Sequence, residues 1–322
     1  MPLYRPCPLC GQDAPHLWFA PARRQAALVQ SEYAFQPPLP PGPVVRCGVC
    51  GLVYVNPIER FEYLICDAPT LDGRSPALLE SANLDDVRGS PEEASIAAYM
   101  AELAPKQADA RQALNQLNLW AKTRGRLLDV GCYCGIFLAE AVRQGWDAYG
   151  LEPSVMHAIW ARGRFGLRVV TDVLREDTFP PASFEAATAF QVLEHLVEPA
   201  RMLDILYRIL SPGGVILVEV PNIDNLTVRL LGRHHRHFVA DHVSYFTPRT
   251  LALLLAKAGF QPCAVFYPTR TLRWMHLLQW LSRYVGPSLT GALKEGLART
   301  RQQSRTVRLN FHDILTIIAR KL

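Results

Sequence analysis

The chain has 322 residues, 49% apolar and 20% charged, which excludes a mainly disordered polypeptide and leaves room for one large core beside a smaller module. Lys plus Arg exceeds Asp plus Glu by 34 − 29 = 5, an excess compatible with an anionic ligand but short of the basic stripe of a dedicated nucleic-acid binder. No apolar run approaches the roughly 18 residues of a membrane helix, and MPLYRPCPLC lacks the apolar middle of a secretory leader, so a cytoplasmic protein with reduced cysteines is expected.

Cys7 and Cys10 form one C-x2-C pair and Cys47 and Cys50 another, each followed by a glycine, Gly11 or Gly51. Two thiolates separated by two residues reach one tetrahedral ion from a tight turn whose backbone angles the glycine tolerates. Four thiolates leave no open position, so a structural Zn2+ is expected. Ten of the 25 prolines fall in the first 43 residues, and PPLPPGP at 37–43 predicts a loop between the knuckles. VVRCGVCGLVYV at 44–55 is patterned for a hairpin around the second knuckle. Asn56-Pro57 closes it, and a module of residues 1–58 results.

Residues 59–122 are expected to form a helical connector. Ser90 offers a cap, Pro91 suits a first turn and Glu93 completes a capping box. Ala and Leu recurring at three and four then predict helices over 91–104 and 106–122.

From Arg126 the runs RLLDV, IFLAEAVRQG, DAYGLE, LRVVTD and FEAATAF alternate strand with helix, the pattern of an α/β protein with a parallel sheet. Ligands in such sheets sit at the carboxyl ends of the strands. LLDVGCYCGIFLAEA puts Asp129 at the end of the first core strand and Gly131 and Gly135 in the turn before a helix, where bare backbone and helix-start amides admit a ligand. WDAYGLEPS ends the next strand at Glu152, 17 residues beyond Gly135, where a carboxylate can accept both ribose hydroxyls of an adenosine. A nicotinamide enzyme uses a similar loop and acid.

The ordered segments LLDVGCYCGIF, GLEPS, SFEAATAFQVLEHLVEP and LSPGGVILVEVPN make residues 120–322 resemble the class I S-adenosylmethionine-dependent methyltransferases. The resemblance implies S-adenosylmethionine as cofactor. It also implies a Rossmann-like doubly wound sheet over 123–322 with a terminal antiparallel strand and insertions at 222–246 and 270–308. By the same likeness Asp129, Gly131, Cys132 and Gly135 hold the methionine end, and Glu152 the ribose. Asp172, Val173 and Leu174 line the adenine region, and Gln191 faces the methyl side. Tyr133 stands where the family loop carries glycine, so its ring is expected to turn away from the methionine moiety or pack over it. Cys132 and Cys134 read as small-residue filling, and Glu185 as a neutral replacement of the usual Asp. The EH pair, Glu194 and His195, reads as capping and packing.

Residues 222–246 are expected over the carboxyl edge of the sheet, where an acceptor would bind. His234, His235, His237 and His242 cluster there with Arg229, Arg233 and Arg236, a set suited to phosphate or to general-base work. A second metal site is disfavoured because no carboxylate stands at helical spacing. Asp241-His242-x-x-Tyr245 resembles the segment where relatives place an active-site histidine, which implies His242 as base and Tyr245 as its orienter. Capping and packing are the alternative for both. QPCAVFYP at 261–268 and FHDILTIIARKL at the end match the family's closing strand pair. Residues 272–286 are patterned for an amphipathic helix that packs on its own domain or touches a membrane surface peripherally.

Ribbon and core together resemble a bacterial group of zinc-ribbon methyltransferases acting on nucleotide-linked sugars and other glycan or natural-product precursors. The expected partner is therefore a small-molecule acceptor, phosphate-bearing or not, methylated at carbon or oxygen. Two alternatives stay open: an RNA methyltransferase gripping nucleic acid through the ribbon, against which its few basic residues (Arg5, Arg23, Arg24 and Arg46) speak, and a non-catalytic scaffold.

Overall fold

The computed structural model describes residues 2–20, 40, 42–58, 84–273 and 306–322. Two sheets organise them. The smaller begins with β1 (Pro15–Phe19), β2 (Val44–Cys47) and β3 (Val53–Val55), paired antiparallel in that order. β2 and β3 are the hairpin expected around the second knuckle, and most of their side chains point inward. β1 had no signal in the sequence, since its side chains are largely exposed. The fourth strand comes from far along the chain: β9 (Ser244–Tyr245) lies antiparallel to β3, with Val53 opposite Tyr245 and Tyr54 opposite Ser244. The ribbon sheet is thus completed by the segment expected to carry the acceptor site.

The larger sheet comprises β4 (Arg126–Val130), β5 (Asp147–Leu151), β6 (Arg168–Val170), β7 (Phe184–Phe190), β8 (Leu210–Pro221), β10 (Phe260–Phe266) and β13 (Ile314–Lys321). Their spatial order is β10-β13-β8-β7-β4-β5-β6. The five from β4 to β8 run parallel, while β13 lies antiparallel between β8 and β10. This is the Rossmann-like α/β sheet with a reversed terminal strand that the sequence predicted. Strand order reverses between β4 and β7, which fixes the ligand crevice at their carboxyl ends.

Helices α3 (Ile136–Arg143), α4 (Val155–Phe165) and α5 (Pro199–Ile209) make the crossovers. Met202, Leu203, Ile205, Leu206 and Ile209 of α5 recur at three and four and are buried in one cluster with Val218 and Val220 of β8. Two short helices precede and follow the ribbon's borrowed strand, α6 (Leu226–Leu231) and α7 (Pro248–Lys257), the latter opened by a Thr247–Thr250 capping box.

Two expectations change. The connector helices are α1 (Glu93–Ala101) and α2 (Leu103–Trp120), and Ser90 does not cap: its hydroxyl has no partner, while the Glu93 carboxylate accepts from the Gly89 amide. The glycine at positive φ carries the chain past the serine, so the box closes one residue early. The amphipathic helix predicted from residue 272 does not begin there. Arg270–Arg273 is strand β11, paired antiparallel with β12 (Thr306–Leu309), because ladder pairing with a partner remote in sequence overrides a local helical period. The rest of that helix, and most of the proline loop, lie outside the described residues.

Candidate functional site

The carboxyl edge of the central strands gathers the acids foreseen for the cofactor. Asp129, at the end of β4, is buried, and its carboxylate accepts from the Thr188 hydroxyl at 2.7 Å. Glu152 follows β5. One of its oxygens accepts from the Tyr133 amide at 2.8 Å and the other from the Ser154 amide at 2.9 Å. Each oxygen keeps a further lone pair for a hydroxyl donor. Burial pushes both carboxyls up to about 7, against the Thr188 hydroxyl at Asp129 and the Ser154 and Tyr133 amides at Glu152. A buried acid short of donors fits a ligand that brings two hydroxyls. His157 lies 4.0 Å from Glu152, and its buried Nε2 has no partner among the described residues.

The loop glycines do different work from the bare cradle expected. Gly131 and Gly135 both have positive φ, 72° and 77°. A Cβ at Gly135 would meet Leu167 at 2.5 Å and Ala161 at 3.0 Å, so this glycine admits α4 and its neighbouring strand rather than a ligand. Cys132 fills the space over Gly150, where an added Cβ would come within 2.6 Å of its Sγ, and Cys134 is buried separately with Val87, Ile96 and Ile159. The pair is filling, not a metal site. Tyr133 takes the left-handed conformation with φ 49° and turns its ring toward α1 and α4, 4.6 Å from Tyr99 and 4.0 Å from His157.

Farther along, Asp172 accepts from the Val173 amide and pairs with Arg175 at 3.2 Å, which shapes the turn carrying Val173 and Leu174. Gln191, at φ 55°, donates its amide to the Glu219 carbonyl, and its side chain lies 3.5 Å from the Glu219 carboxylate. Glu219 also accepts from Arg270 and Thr316, and Arg270 stands 3.8 Å from Asp109 of α2. Nothing in the sequence spacing pointed to this buried Glu219–Arg270–Asp109 link between β8, β11 and α2.

The histidines sort into two groups. His235 bonds the Thr227 hydroxyl at 2.9 Å, and His237 bonds the Asp313 carbonyl at 2.9 Å. Arg236 is held by the Asp313 carboxylate at 2.5 Å, and Arg229 by Asp224 at 2.9 Å. These residues brace the 222–246 segment. His242 instead meets His195, ring centroids 4.8 Å apart. Each donates from Nδ1 to a carbonyl, His242 to His237 and His195 to Asp241, both at 2.9 Å, so each presents an Nε2 lone pair. Burial lowers His242 to about 4, leaving it neutral at physiological pH. Glu194 is fully buried with neither carboxylate oxygen partnered among the described residues, and burial raises it to about 7 despite His195. Ligand-type atoms of Glu194, His195 and His242 lie within 4.8 Å of one another. The carboxylate missing at helical spacing is supplied across space by the EH pair. Tyr245 is buried, donates its hydroxyl to the His242 carbonyl at 2.9 Å and sets its ring 6.4 Å from the His242 ring, so its hydrogen bond is to the backbone of the histidine and not to the imidazole.

At the other end of the small sheet the four sulfurs of Cys7, Cys10, Cys47 and Cys50 also lie within 4.8 Å of one another, with Cys7–Cys50 at 3.5 Å and Cys10–Cys47 at 3.6 Å. Sulfurs about 2.3 Å from one tetrahedral ion stand nearly 4 Å apart, so the four thiols are of the kind and spacing that would suit Zn2+. The turn amides of Gly11 and Gly51 donate to the Cys7 and Cys47 carbonyls. The knot packs on the core: Cys7, Leu9, Cys47, Cys50, Leu52 and Tyr54 share one cluster with α5 and α7, and Lys257 of α7 donates to the Leu9 carbonyl at 3.0 Å.

Residues 100–265 match the family described as "Methyltransferase domain", a span that takes in every strand from β4 to β9. The chain belongs to this family. Its core is an S-adenosylmethionine-dependent methyltransferase domain, with which the sheet order and the acids at its edge agree. Among curated relatives, the ubiquinone biosynthesis O-methyltransferase of Psychrobacter arcticus is 27% identical over 154 residues, 42% of this chain and 58% of that protein. Its counterpart in Psychrobacter cryohalolentis is 25% identical over 195 residues, 54% of this chain and 72% of that protein. The methyltransferase thus spans less than two thirds of the first relative's length. A solved S-adenosylmethionine-dependent methyltransferase of Thermotoga maritima is 20% identical, with a TM-score of 0.48 over 72% of this chain and 98% of that one.

Proposed function

We propose that the protein transfers a methyl group from S-adenosylmethionine to a hydroxyl of a small-molecule acceptor bound between the cofactor edge and the His195–His242 pair. The observation that carries this reading is the pair itself: two imidazoles pinned through Nδ1, each with an Nε2 lone pair, with His195 on the loop that leaves the carboxyl end of β7 in the sheet that also carries Asp129 and Glu152. The cofactor supplies an electrophilic methyl on a sulfonium. Glu152 accepts the ribose hydroxyls, Asp129 with Gly131 and Cys132 borders the methionine end, and Gln191 stands at the methyl side. Asp172, Val173 and Leu174 border the adenine. The chain's remaining task is to align a hydroxyl and take its proton; His242 is neutral and able to accept it at physiological pH, although burial makes it a weaker base than a free imidazole. Relatives named as O-methyltransferases support oxygen as the acceptor atom.

A nucleotide-linked sugar or a phenol would both present such a hydroxyl. A phosphate-bearing acceptor would have to compete with Asp313 for Arg236. The RNA alternative is weakened because Arg5 is buried and Arg46 lies over the Trp18 ring, which leaves the described part of the ribbon little free positive charge. The ribbon's role is structural: Cys7, Cys10, Cys47 and Cys50 would hold Zn2+ away from the reacting edge. No helix of the described residues is long and apolar enough to cross a membrane.

The test is incubation with methyl-labelled cofactor and separate panels of phenols, nucleotide sugars and RNA. Label entering a small-molecule hydroxyl, lost in His242→Gln, supports the reading; label in RNA alone, or wild-type turnover in His242→Gln, defeats it. One observation favours a second reading of the same site. The Glu194 carboxylate, without a partner among the described residues, shares with His195 and His242 a set of ligand-type atoms within 4.8 Å, which suits a divalent cation that would acidify the hydroxyl. Stimulation of turnover by added Mg2+ or Mn2+, with ribbon zinc constant and the effect absent in Glu194→Gln, would select it over the metal-free route.

A further inference from the structure

One of the links between the ribbon and the methyltransferase core is a buried cation. Arg5, two residues before the first zinc-ligating thiol, is 8% exposed. Its Nη2 donates to the Val243 carbonyl at 2.7 Å, its Nη1 to the Val197 carbonyl, and its Nε to the Val55 carbonyl at 3.4 Å. Its own amide donates to the Asn56 side chain at 3.1 Å, and its guanidinium lies 5.5 Å from the centre of the Tyr54 ring. Among the described residues no carboxylate comes within ion-pair distance. A buried charge satisfied by carbonyls alone does little for stability, so its value lies in the geometry it imposes.

That geometry converges on the histidines. Val243 follows His242, and Val197 is two residues past His195. The Val243 carbonyl also accepts from the Val55 amide at 2.9 Å, and the Val243 amide donates to the Glu194 carbonyl at 2.8 Å. The two histidine segments are therefore tied to each other once through the backbone and once through the guanidinium, with the ribbon strand β3 as the common backing. The planar fork matches this demand, since a single ammonium cannot reach three carbonyls on three segments.

We infer that Arg5 is a positioning residue that holds the His195 and His242 segments in register, so that the ribbon, beyond stapling the fold, sets the geometry of the imidazole pair. The inference rests on the proposed role of that pair, and its test reads the rings directly. In histidine-labelled protein, the Nδ1–H signals of His195 and His242, assigned from His195→Gln and His242→Gln, should each report a single Nδ1–H tautomer protected from exchange. In Arg5→Met both should exchange about tenfold faster or broaden. Arg5→Lys should recover one at most. Zinc content and the affinity for S-adenosylhomocysteine should stay within about twofold of wild type, because the cofactor acids are set by β4 and β5.

Unchanged ring signals in Arg5→Met would overturn the inference, as would equal loss of zinc, cofactor affinity and ring signals, which marks a residue that only stabilises. A measurement without any variant covers the case in which Arg5→Met fails to fold. In wild-type protein the Arg5 Nη protons should resolve separately, with contacts to the residues at 197 and 243, and a freely rotating guanidinium would refute the clamp. Wild-type turnover in His242→Gln would remove the pair's chemistry while these spectra still decide whether Arg5 holds it.

Discussion

Two carboxyls at the cofactor edge are held above their ordinary range by burial, and the sign of the consequence can be worked out. Glu152 titrates near 7 in the folded chain against about 4.5 unfolded. Its contribution is therefore fully present below the unfolded value and is lost as pH rises through 7. Asp129 acts in the same direction. Glu152→Gln should flatten the pH dependence of the cofactor-free protein's thermal midpoint between 5 and 8, because the titrating carboxyl is gone, while its amide nitrogen forfeits one of the two backbone N–H donors. Glu152→Ala should weaken S-adenosylmethionine binding by about 1–3 kcal/mol in calorimetry, through lost charged hydrogen bonds, and unchanged affinity would contradict a ribose role. Asp129 and Glu152 were legible because each closes a strand at a fixed distance from the loop. Thr188, which donates to Asp129, was not, since a threonine inside a strand carries no mark of where its hydroxyl will point.

Among the elements, the turn between β4 and α3 sets the tightest constraint. An Ala at Gly135 must adopt φ 77° and place a methyl 2.5 Å from Leu167, so Gly135→Ala should cost about 1–3 kcal/mol in a urea titration. A neutral outcome would mean that α4 can move aside. The parallel strands and their crossovers were readable from alternating periods, as was the hairpin around the second knuckle. β11 and the true start of α1 were not, because one is decided by a partner strand 33 residues away and the other by a glycine that bends the chain just before its cap. The histidine segment was half readable. Its composition announced a site, but only the folded chain separates His242, which meets His195, from His235 and His237, which are spent on Thr227 and Asp313.

For the whole molecule, the four-cysteine knot and the methyltransferase core form one packed body, since Cys7, Leu9, Cys47 and Cys50 share a cluster with β8, α5 and α7. Withdrawing zinc with a chelator, or Cys47→Ser, should lower the midpoint of a single unfolding transition, whereas a separately melting ribbon would give two. Affinity for S-adenosylmethionine should persist, because Asp129 and Glu152 are placed by β4 and β5, whose hydrogen-bonded pairing lies in the large sheet and not in the ribbon's. The sequence could place the cysteines and the core side by side but gave no means of seeing that they share a sheet, for a two-residue strand such as β9 has no period to detect.

That borrowed strand limits how the protein can be shortened. Cutting before residue 59 would strip Ser244 and Tyr245 of their hydrogen-bonded neighbour and bare Ile223, Val228, Phe238 and Val243, which are buried against Val44, Val53 and Val55. An expression clone trimmed to the catalytic portion would carry a raw apolar edge prone to self-association. For the same reason a lineage carrying this architecture could not discard its amino-terminal piece without rebuilding the floor beneath its imidazoles.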